Sequence, residues 1–320
     1  MPTKSNKGNN KQSMKIKIQN QISNQTTRES TLSSITDIRE QKDQSIKGMN
    51  TEIEYTLLNI YNSQRKLINY RAEGKGNNLY FASRIKILIW IDNILNSTNL
   101  KRDIKNSIYH RFSYGYSLIF GILHQNEIFF DKHQFKVLLI SLFLIVYKME
   151  GYTINKLTIK NIFNSFLKSA PKSQTTIEKE IKNNEIDLCS LLDYDIFILE
   201  NNIHQLSQIL LKVLSDKFSI NQKNVKEILS YLPSSNRNID NSNNTFILFN
   251  LSQLEKAAVS LFSVFFALND DHSNNTINQY INYFSNELQI LNLSYNEIVN
   301  YSKTFSKKLF IMKTKGKNYK

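Results

Sequence analysis

Proline, glycine and cysteine are all scarce in this chain. Its 320 residues include three prolines, eight glycines and one cysteine. Each proline removes a backbone donor, and each glycine inside a helix costs about 1 kcal/mol relative to alanine. Long stretches without either residue therefore favour helices, because strand-rich folds need more turn residues. The single cysteine, Cys189, excludes an internal disulfide framework and a cysteine-based zinc site.

The sequence also lacks the signals of a secreted or membrane protein. Its first residues, MPTKSNKGNNKQS, contain no apolar core of the signal-peptide kind. The most apolar run, at 137–147, is too short to span a bilayer and is flanked by charge. We therefore expect an intracellular protein, in the nucleus, the cytoplasm or both, that does not bind a membrane.

Positive charge is in excess, with a net charge of +14. Such an excess can indicate a nucleic-acid surface. However, no basic run alternates with aromatic residues in the way that single-strand binders require. A composition rich in lysine and asparagine on solvated faces explains the charge, so nucleic acid is not the expected partner.

The pattern of apolar residues divides the chain into four parts. Residues 1–50 contain no aromatic residue and are predicted to form a disordered polar tail. Helical spacing then predicts an all-α fold of two consecutive five-helix bundles, at 51–200 and 201–312, with a basic tail at 313–320. The predicted helices are 52–68, 80–95, 104–123, 132–150, 154–167, 176–192, 203–218, 225–232, 251–268, 276–291 and 295–310, the first of them preceding the first bundle. The polar segment 233–244, which begins with proline, is predicted to be a loop.

Three charged residues interrupt the predicted apolar faces. Arg84 lies six positions before the only tryptophan, Trp90. Lys148 ends the most hydrophobic helix, and Glu185 shares a helical line with Ile181. A charge on an apolar stripe is costly unless it is paired or reaches a partner. Taken singly, Lys148 fits a lysine that caps a helix C-terminus, and Glu185 fits an edge residue.

Taken together, these residues resemble the cyclin box. The first helix of that fold has an arginine six positions before a tryptophan, as Arg84 and Trp90 are here. Its third helix is apolar and ends in a lysine followed by one residue and a glutamate, as LFLIVYKME (142–150) does. Its fifth helix carries a glutamate, apolar residues, a turn, an aromatic residue and an aspartate, as EIDLCSLLDYDI (185–196) does. In the second half, LEKAAVSLFSVFFAL (254–268) is similar to the central helix of the second cyclin fold.

The resemblance implies a regulatory subunit of a cyclin-dependent protein kinase, with no catalytic residue, cofactor or metal of its own. In cyclins the lysine and the glutamate hydrogen-bond to the kinase backbone beside its mobile αC helix. Ordering of that helix completes the kinase active site. Carried over residue by residue, Lys148 and Glu185 form this polar clamp, and Met149, Tyr194 and Ile196 supply apolar contacts. A heterodimer with the kinase is therefore expected.

Two features depart from the family pattern. The acidic residue that pairs with the first-helix arginine in cyclins is missing, because Gly121 and Ile122 occupy its place. Arg84 is therefore expected to lack its usual partner. The substrate-docking patch becomes Ser-Arg-Ile-Lys-Ile at 83–87. Binding of the usual arginine-x-leucine substrate motif is not expected, although Trp90 is kept.

Two other functions remain open. A DNA-binding protein with the same two-bundle fold, similar to transcription factor IIB, fits the positive charge but not the lack of a zinc ribbon. A helical adaptor without a kinase would make Lys148 and Glu185 ordinary surface charges. An enzyme is not expected, because the five histidines are scattered and no glycine-rich phosphate loop is present. A positive stripe across both bundles would favour DNA, and an apolar patch around Lys148 would favour a kinase.

Overall fold

The computed structural model describes residues 78–125, 132–152, 174–192, 194–242, 251–268 and 274–317. Within these ranges the chain is helical and contains no strand, which confirms the all-α prediction. The helices are α1 (Asn78–Asn96), α2 (Arg102–Gln125), α3 (Lys132–Met149), α4 (Gln174–Leu191), a 3₁₀ helix (Ile196–Glu200), α5 (Ile203–Phe218), α6 (Gln222–Asp240), α7 (Gln253–Leu268), α8 (Asn274–Asn282) and α9 (Tyr295–Lys317). The tail predicted at 1–50 and the helices predicted at 52–68 and 154–167 lie outside the described residues.

Helix α6 is longer than its sequence predicts. It continues through Pro233 to Asp240, so the loop prediction for 233–244 is wrong over most of that segment. A proline inside a helix costs about 3 kcal/mol, but the residues that follow it are held by neighbouring helices. Ser235 and Asn236 are fully buried and hydrogen-bond to α7 and α5 respectively. Tertiary contacts therefore outweigh the local helix breaker.

The last two helices also differ from the prediction at their ends. Helix α8 ends at Asn282 and is followed by one π-helical turn, Tyr283–Glu287, so the helix predicted at 276–291 is shorter. Helix α9 extends to Lys317, which makes most of the predicted tail at 313–320 helical. Basic residues in the last turns of a helix are favourable, because the helix dipole places partial negative charge there.

Helix α7 begins with a reciprocal capping arrangement. The Glu255 amide donates to Ser252 Oγ at 3.1 Å, and the Ser252 amide donates to Glu255 Oε2 at 2.8 Å. Two amides that the first helical turn leaves without a partner are thereby satisfied. The second Glu255 oxygen accepts from the amide of Asn292 at 3.0 Å, which ties the start of α7 to the segment before α9.

The described helices enclose two hydrophobic cores. In the first core α3 packs against α2 and α4, and its residues 137–147 are all buried. In the second core α7 packs against α5, α6 and α9, and it is buried along most of its length. Ala257 and Ala258, both fully buried, allow neighbouring helices to approach α7 closely. None of the helices in the described part of the chain is long and apolar enough to cross a membrane.

Arg84 is buried between the two cores, and it does have an acidic partner. Its Nη2 donates to Ser113 Oγ on α2 at 2.9 Å and lies 3.8 Å from Asp240 Oδ1 on α6. Its Nη1 donates to the main-chain carbonyl of Asp240. The expectation that Arg84 lacks a partner, based on Gly121 and Ile122, is therefore wrong. Helix α2 presents Ser113 to the guanidinium, and the negative charge comes from the second half of the chain.

Asp240 is the centre of a polar junction between the cores. His110 on α2 donates from Nδ1 to the Asp240 carboxylate at 2.6 Å. Burial alone would raise the pKa of Asp240. The hydrogen bond from His110 and the charges of His110, Arg84 and Lys256 outweigh burial and lower the pKa of this carboxyl. Asp240 is therefore ionised at neutral pH, although it is almost completely buried.

A second set of contacts extends this junction. Arg237 on α6 pairs with Asp92 on α1 at 2.6 Å, and its guanidinium lies 4.5 Å from the centre of the Tyr109 ring. The Tyr109 hydroxyl donates to Asn241 Oδ1 at 2.9 Å. Burial and the nearby Asp240 charge raise the pKa of this tyrosine. The two hydrophobic cores are therefore joined by a network of charged and polar side chains.

Candidate partner-binding face

Lys148 and Glu185 form an ion pair at the protein surface. Lys148 Nζ lies 2.7 Å from each carboxylate oxygen of Glu185. The lysine side chain is 57% exposed and the glutamate side chain 16%. An exposed pair contributes only about 0–1 kcal/mol to stability. A lysine has three donors and each carboxylate oxygen has two acceptor positions, so the pair retains hydrogen-bonding capacity for another molecule.

The first hydrophobic core lies beneath this ion pair and fixes the position of both residues. Helix α3 is buried up to Tyr147, and Lys148 is its first exposed residue in the last turn. On α4 the apolar line predicted from spacing is buried at Ile181 and Leu188, and Glu185 lies between them. Helix α3 contacts α4 at several levels, including the His133–Glu180 pair at 2.9 Å. The contact between α3 and α4 thus brings the two predicted clamp residues together, whereas their role in binding stays a prediction.

Large apolar side chains are exposed in the part of the chain that follows Glu185. Tyr194 is 67% exposed, whereas Met149 and Ile196 are half-buried and pack against the first core. Sequence analysis missed two further residues, Ile186 and Phe197, which are 50% and 72% exposed. Exposed apolar groups of this size mark interaction surfaces when they cluster. Phe197 could have been found from the sequence, because it directly follows Ile196, which the resemblance already assigned to an apolar contact.

Tyr194 adopts a backbone conformation that normally belongs to glycine. Its φ is 60°, and its amide donates to the Cys189 carbonyl at 2.7 Å, at the end of α4. A left-handed residue at this position of a helix end is usually glycine, and a residue with a Cβ pays roughly 1–2 kcal/mol for it. Burial and the Glu185 charge raise the pKa of the Cys189 thiol, whereas the Lys148 charge lowers it. Cys189 therefore lies within the electrostatic range of the ion pair. An exposed ring is thus held in a strained turn at the end of α4.

Arg111 is a buried charge that sequence analysis did not single out. It lies on α2, where it donates to Glu200 Oε1 and Oε2 from Nη2 at 2.6 and 2.7 Å. Its Nη1 donates to Glu150. A signal was available, because Arg111 shares a helical line with the apolar residue Ile108 and with Gly115. Like Lys148 and Glu185, Arg111 is a charge on a predicted apolar face.

Trp90 and the segment matched to the substrate-docking patch lie on α1. Trp90 is half-buried and packs against the first core. Within the segment, Arg84 and Ile87 are buried, and Lys86 is exposed. Arg84 and Ile87 thus belong to the interior, whereas Lys86 places a charge on the surface of this segment.

The buried histidines at the junction do not form a metal site. The His110 and His204 rings stack with their centres 5.4 Å apart and their planes 15° apart. Ring nitrogens bind metals in the plane of the ring, so two nearly parallel rings at this separation cannot converge on one ion. No group of three or more histidine, cysteine, aspartate or glutamate side chains could hold a metal ion within the described ranges.

Comparison of the chain with protein-family models, with curated proteins and with solved structures gives no match. The functional assignment therefore rests on the residues and the geometry described above.

Proposed function

We propose that this chain is the cyclin-like regulatory subunit of a cyclin-dependent protein kinase, built from two consecutive five-helix bundles. The kinase binds the surface formed by Lys148, Glu185, Ile186, Tyr194 and Phe197, here named the clamp face. The observation that carries the proposal is the exposed Lys148–Glu185 pair with large exposed apolar side chains close to it in the chain. The chain would bind this kinase in the nucleus or the cytoplasm.

The clamp face contributes little to the stability of the free chain. The ion pair is solvent-exposed, and exposed pairs of this kind are nearly neutral in free energy. The Tyr194 and Phe197 rings are mostly in water, and the turn at Tyr194 is strained. Aromatic anchors beside polar groups are typical of the centre of a protein interface. These residues are therefore better explained by a bound partner than by folding.

In the proposed complex the apolar side chains pack against the mobile αC helix of the kinase. Lys148 donates to a kinase carbonyl while it keeps Glu185 as its counter-ion, and Glu185 accepts from a kinase amide. Ordering of αC then brings the Lys–Glu ion pair of the kinase active site together. All chemistry stays in the kinase, and the chain described here acts by fixing one of two conformations.

A panel of purified cyclin-dependent kinases tests this proposal. The immobilised chain is expected to retain at least one kinase of the panel and to raise its phosphotransfer rate on a peptide substrate. The double variant Lys148→Ala/Glu185→Ala is expected to weaken retention by roughly thirtyfold or more, the range of interface hot spots. Its far-UV circular dichroism should match that of the wild type, because the pair is exposed.

The matched control is the double variant Lys226→Ala/Glu227→Ala. It also removes one positive and one negative charge, from an exposed part of α6, and it should bind like the wild type. Retention of no kinase by the wild type would refute the proposal, as would normal binding by the clamp-face variant. Salt-sensitive retention of a DNA duplex in place of a kinase would instead favour the DNA-binding alternative.

A further inference from the structure

We infer that Arg111 is a positioning residue of the clamp face, which holds the segment carrying Tyr194 and Phe197 against the end of α3. The inference rests on the proposed function, since it concerns how the same face is kept in shape. Arg111 does not reach the surface itself, because its side chain is only 8% exposed. It would therefore act on a partner only through the residues that it holds.

The Arg111 guanidinium contacts two carboxylates at once. Two nitrogens of the guanidinium engage Glu200: Nη2 contacts both carboxylate oxygens, and Nε donates to Oε2 at 3.1 Å. The remaining nitrogen, Nη1, donates to Glu150. A planar guanidinium presents five donors in a fixed fork, so it can hold two carboxylates in a defined relative position.

The two carboxylates belong to different segments of the chain. Glu150 directly follows α3 and stands two residues after Lys148. The next residue, Gly151, has φ 75° and donates from its amide to the Lys148 carbonyl at 2.9 Å. Glu200 is the last residue of the 3₁₀ helix and stands three residues after Phe197. Arg111 thus joins the segment that ends in the lysine to the segment that carries the exposed aromatic residues.

The 3₁₀ helix packs on α2 next to Arg111. Gly115 lies one turn after Arg111, and a Cβ atom added there would be 3.1 Å from a methyl group of Leu199 and 3.0 Å from one of Leu142. The absence of a side chain at Gly115 lets Leu199, which is fully buried, pack directly on α2. Ile196 and Ile198 of the same short helix also pack against the first core. The Arg111–Glu200 contact adds a polar attachment one residue after Leu199.

The charges of the Arg111 cluster are unequal in number. One cation faces two carboxylates, whose side chains are 17% and 36% exposed. Without Arg111, Glu150 and Glu200 would be two neighbouring like charges, and their repulsion would separate the segments. A lysine at this position would keep the charge but not the two-sided fork. Arg111→Lys should therefore restore only part of the effect.

Hydrogen exchange and binding kinetics together test the inference. In the full chain, Arg111→Gln is expected to speed amide exchange in the 194–201 segment by roughly tenfold or more. The reporting amides are those of Ile198 and Asn201, which bond within the 3₁₀ helix. Exchange in α7 should stay unchanged. Dissociation of the kinase identified with the panel should become roughly tenfold faster, and Arg111→Lys should lie between the two.

The matched control is Arg237→Gln, which removes another arginine–carboxylate pair, on α6 and α1. It should leave exchange at 194–201 and kinase dissociation unchanged. If Arg111→Gln fails to fold, Glu200→Gln replaces it, because this variant removes only the more exposed partner.

The possible results separate this inference from the proposed function. Unchanged exchange at 194–201 in Arg111→Gln overturns the inference, and so does exchange that is faster throughout the chain. Normal kinase dissociation in Arg111→Gln, combined with loss of binding in the Lys148/Glu185 variant, overturns the inference but leaves the proposed function intact. Binding of no kinase by the wild type overturns the proposed function. In that case the exchange result still decides whether Arg111 holds the segment.

Discussion

Lowering the pH from 7 to 5 is expected to destabilise this protein through His204. This residue is buried near the start of α5, where its ring stacks on that of His110. Burial, followed by electrostatic repulsion from His110, Arg111 and Arg237, lowers the pKa of His204 from 6.5 to about 3. Its position at a helix N-terminus, where the helix dipole is positive, acts in the same direction. The imidazole therefore stays neutral in the folded chain.

The size of the effect follows from the difference in proton binding. The unfolded chain protonates His204 near pH 6.5, whereas the folded chain does so only near pH 3. Because the folded-state pKa is the lower one, the stability that depends on the neutral ring is fully present above pH 6.5. It is lost progressively as the pH falls towards 3. Between pH 7 and pH 5, protonation of the unfolded chain lowers the free energy of unfolding by about 2 kcal/mol.

Urea unfolding followed by circular dichroism at pH 7, 6 and 5 measures this loss. In His204→Gln the decrease between pH 7 and pH 5 should be smaller than in the wild type by about 2 kcal/mol. The readout is this difference in pH dependence, so a constant cost of the substitution does not affect it. Parallel pH curves for the wild type and His204→Gln would refute the reasoning.

Two further substitutions test the junction and the clamp face. Asp240→Asn removes the charge that faces buried Arg84 and His110, and urea titrations should show a loss of about 3 kcal/mol or more. The exposed control Asp216→Asn should stay within about 0.5 kcal/mol, and a loss below about 1 kcal/mol at Asp240 would contradict the junction. Tyr194→Gly relieves a left-handed tyrosine and is expected to raise the free energy of unfolding by about 0.5–1 kcal/mol while it weakens kinase retention. A clear loss of stability would mean that the Tyr194 ring already stabilises the free chain.

Most of the described helices could be predicted from the sequence, because each buries one apolar face and so repeats it at helical spacing. The prediction failed at Pro233, because the local sequence favours a loop whereas tertiary packing holds the segment in a helix. A proline followed by serine, asparagine and arginine is a typical loop sequence. The burial of Ser235 and Asn236 between α5 and α7 is decided by distant residues, and no local pattern reveals it.

In the candidate site, too, the sequence indicates some of the residues but does not reveal their distant partners. Lys148 and Glu185 were singled out because both residues interrupt apolar faces, and the resemblance to the cyclin box grouped them in one clamp. Arg111 shows the same signal but was overlooked, since its partners Glu150 and Glu200 are distant in sequence. The partner of Arg84 could not be found by comparing one family position, because Asp240 lies in the other half of the chain.

Asp240 lies in the second half of the chain but neutralises charge in the first half, and this affects experiments with fragments. A fragment that ends at residue 200 would contain every clamp-face residue, but it would leave Arg84 and His110 without the charge of Asp240. Loss of binding by such a fragment would then report an uncompensated positive charge in its interior, even with every contact residue present. Single substitutions in the full chain avoid this ambiguity. The two halves therefore have to be kept or removed together, because the buried charges of the first are neutralised by a carboxylate of the second.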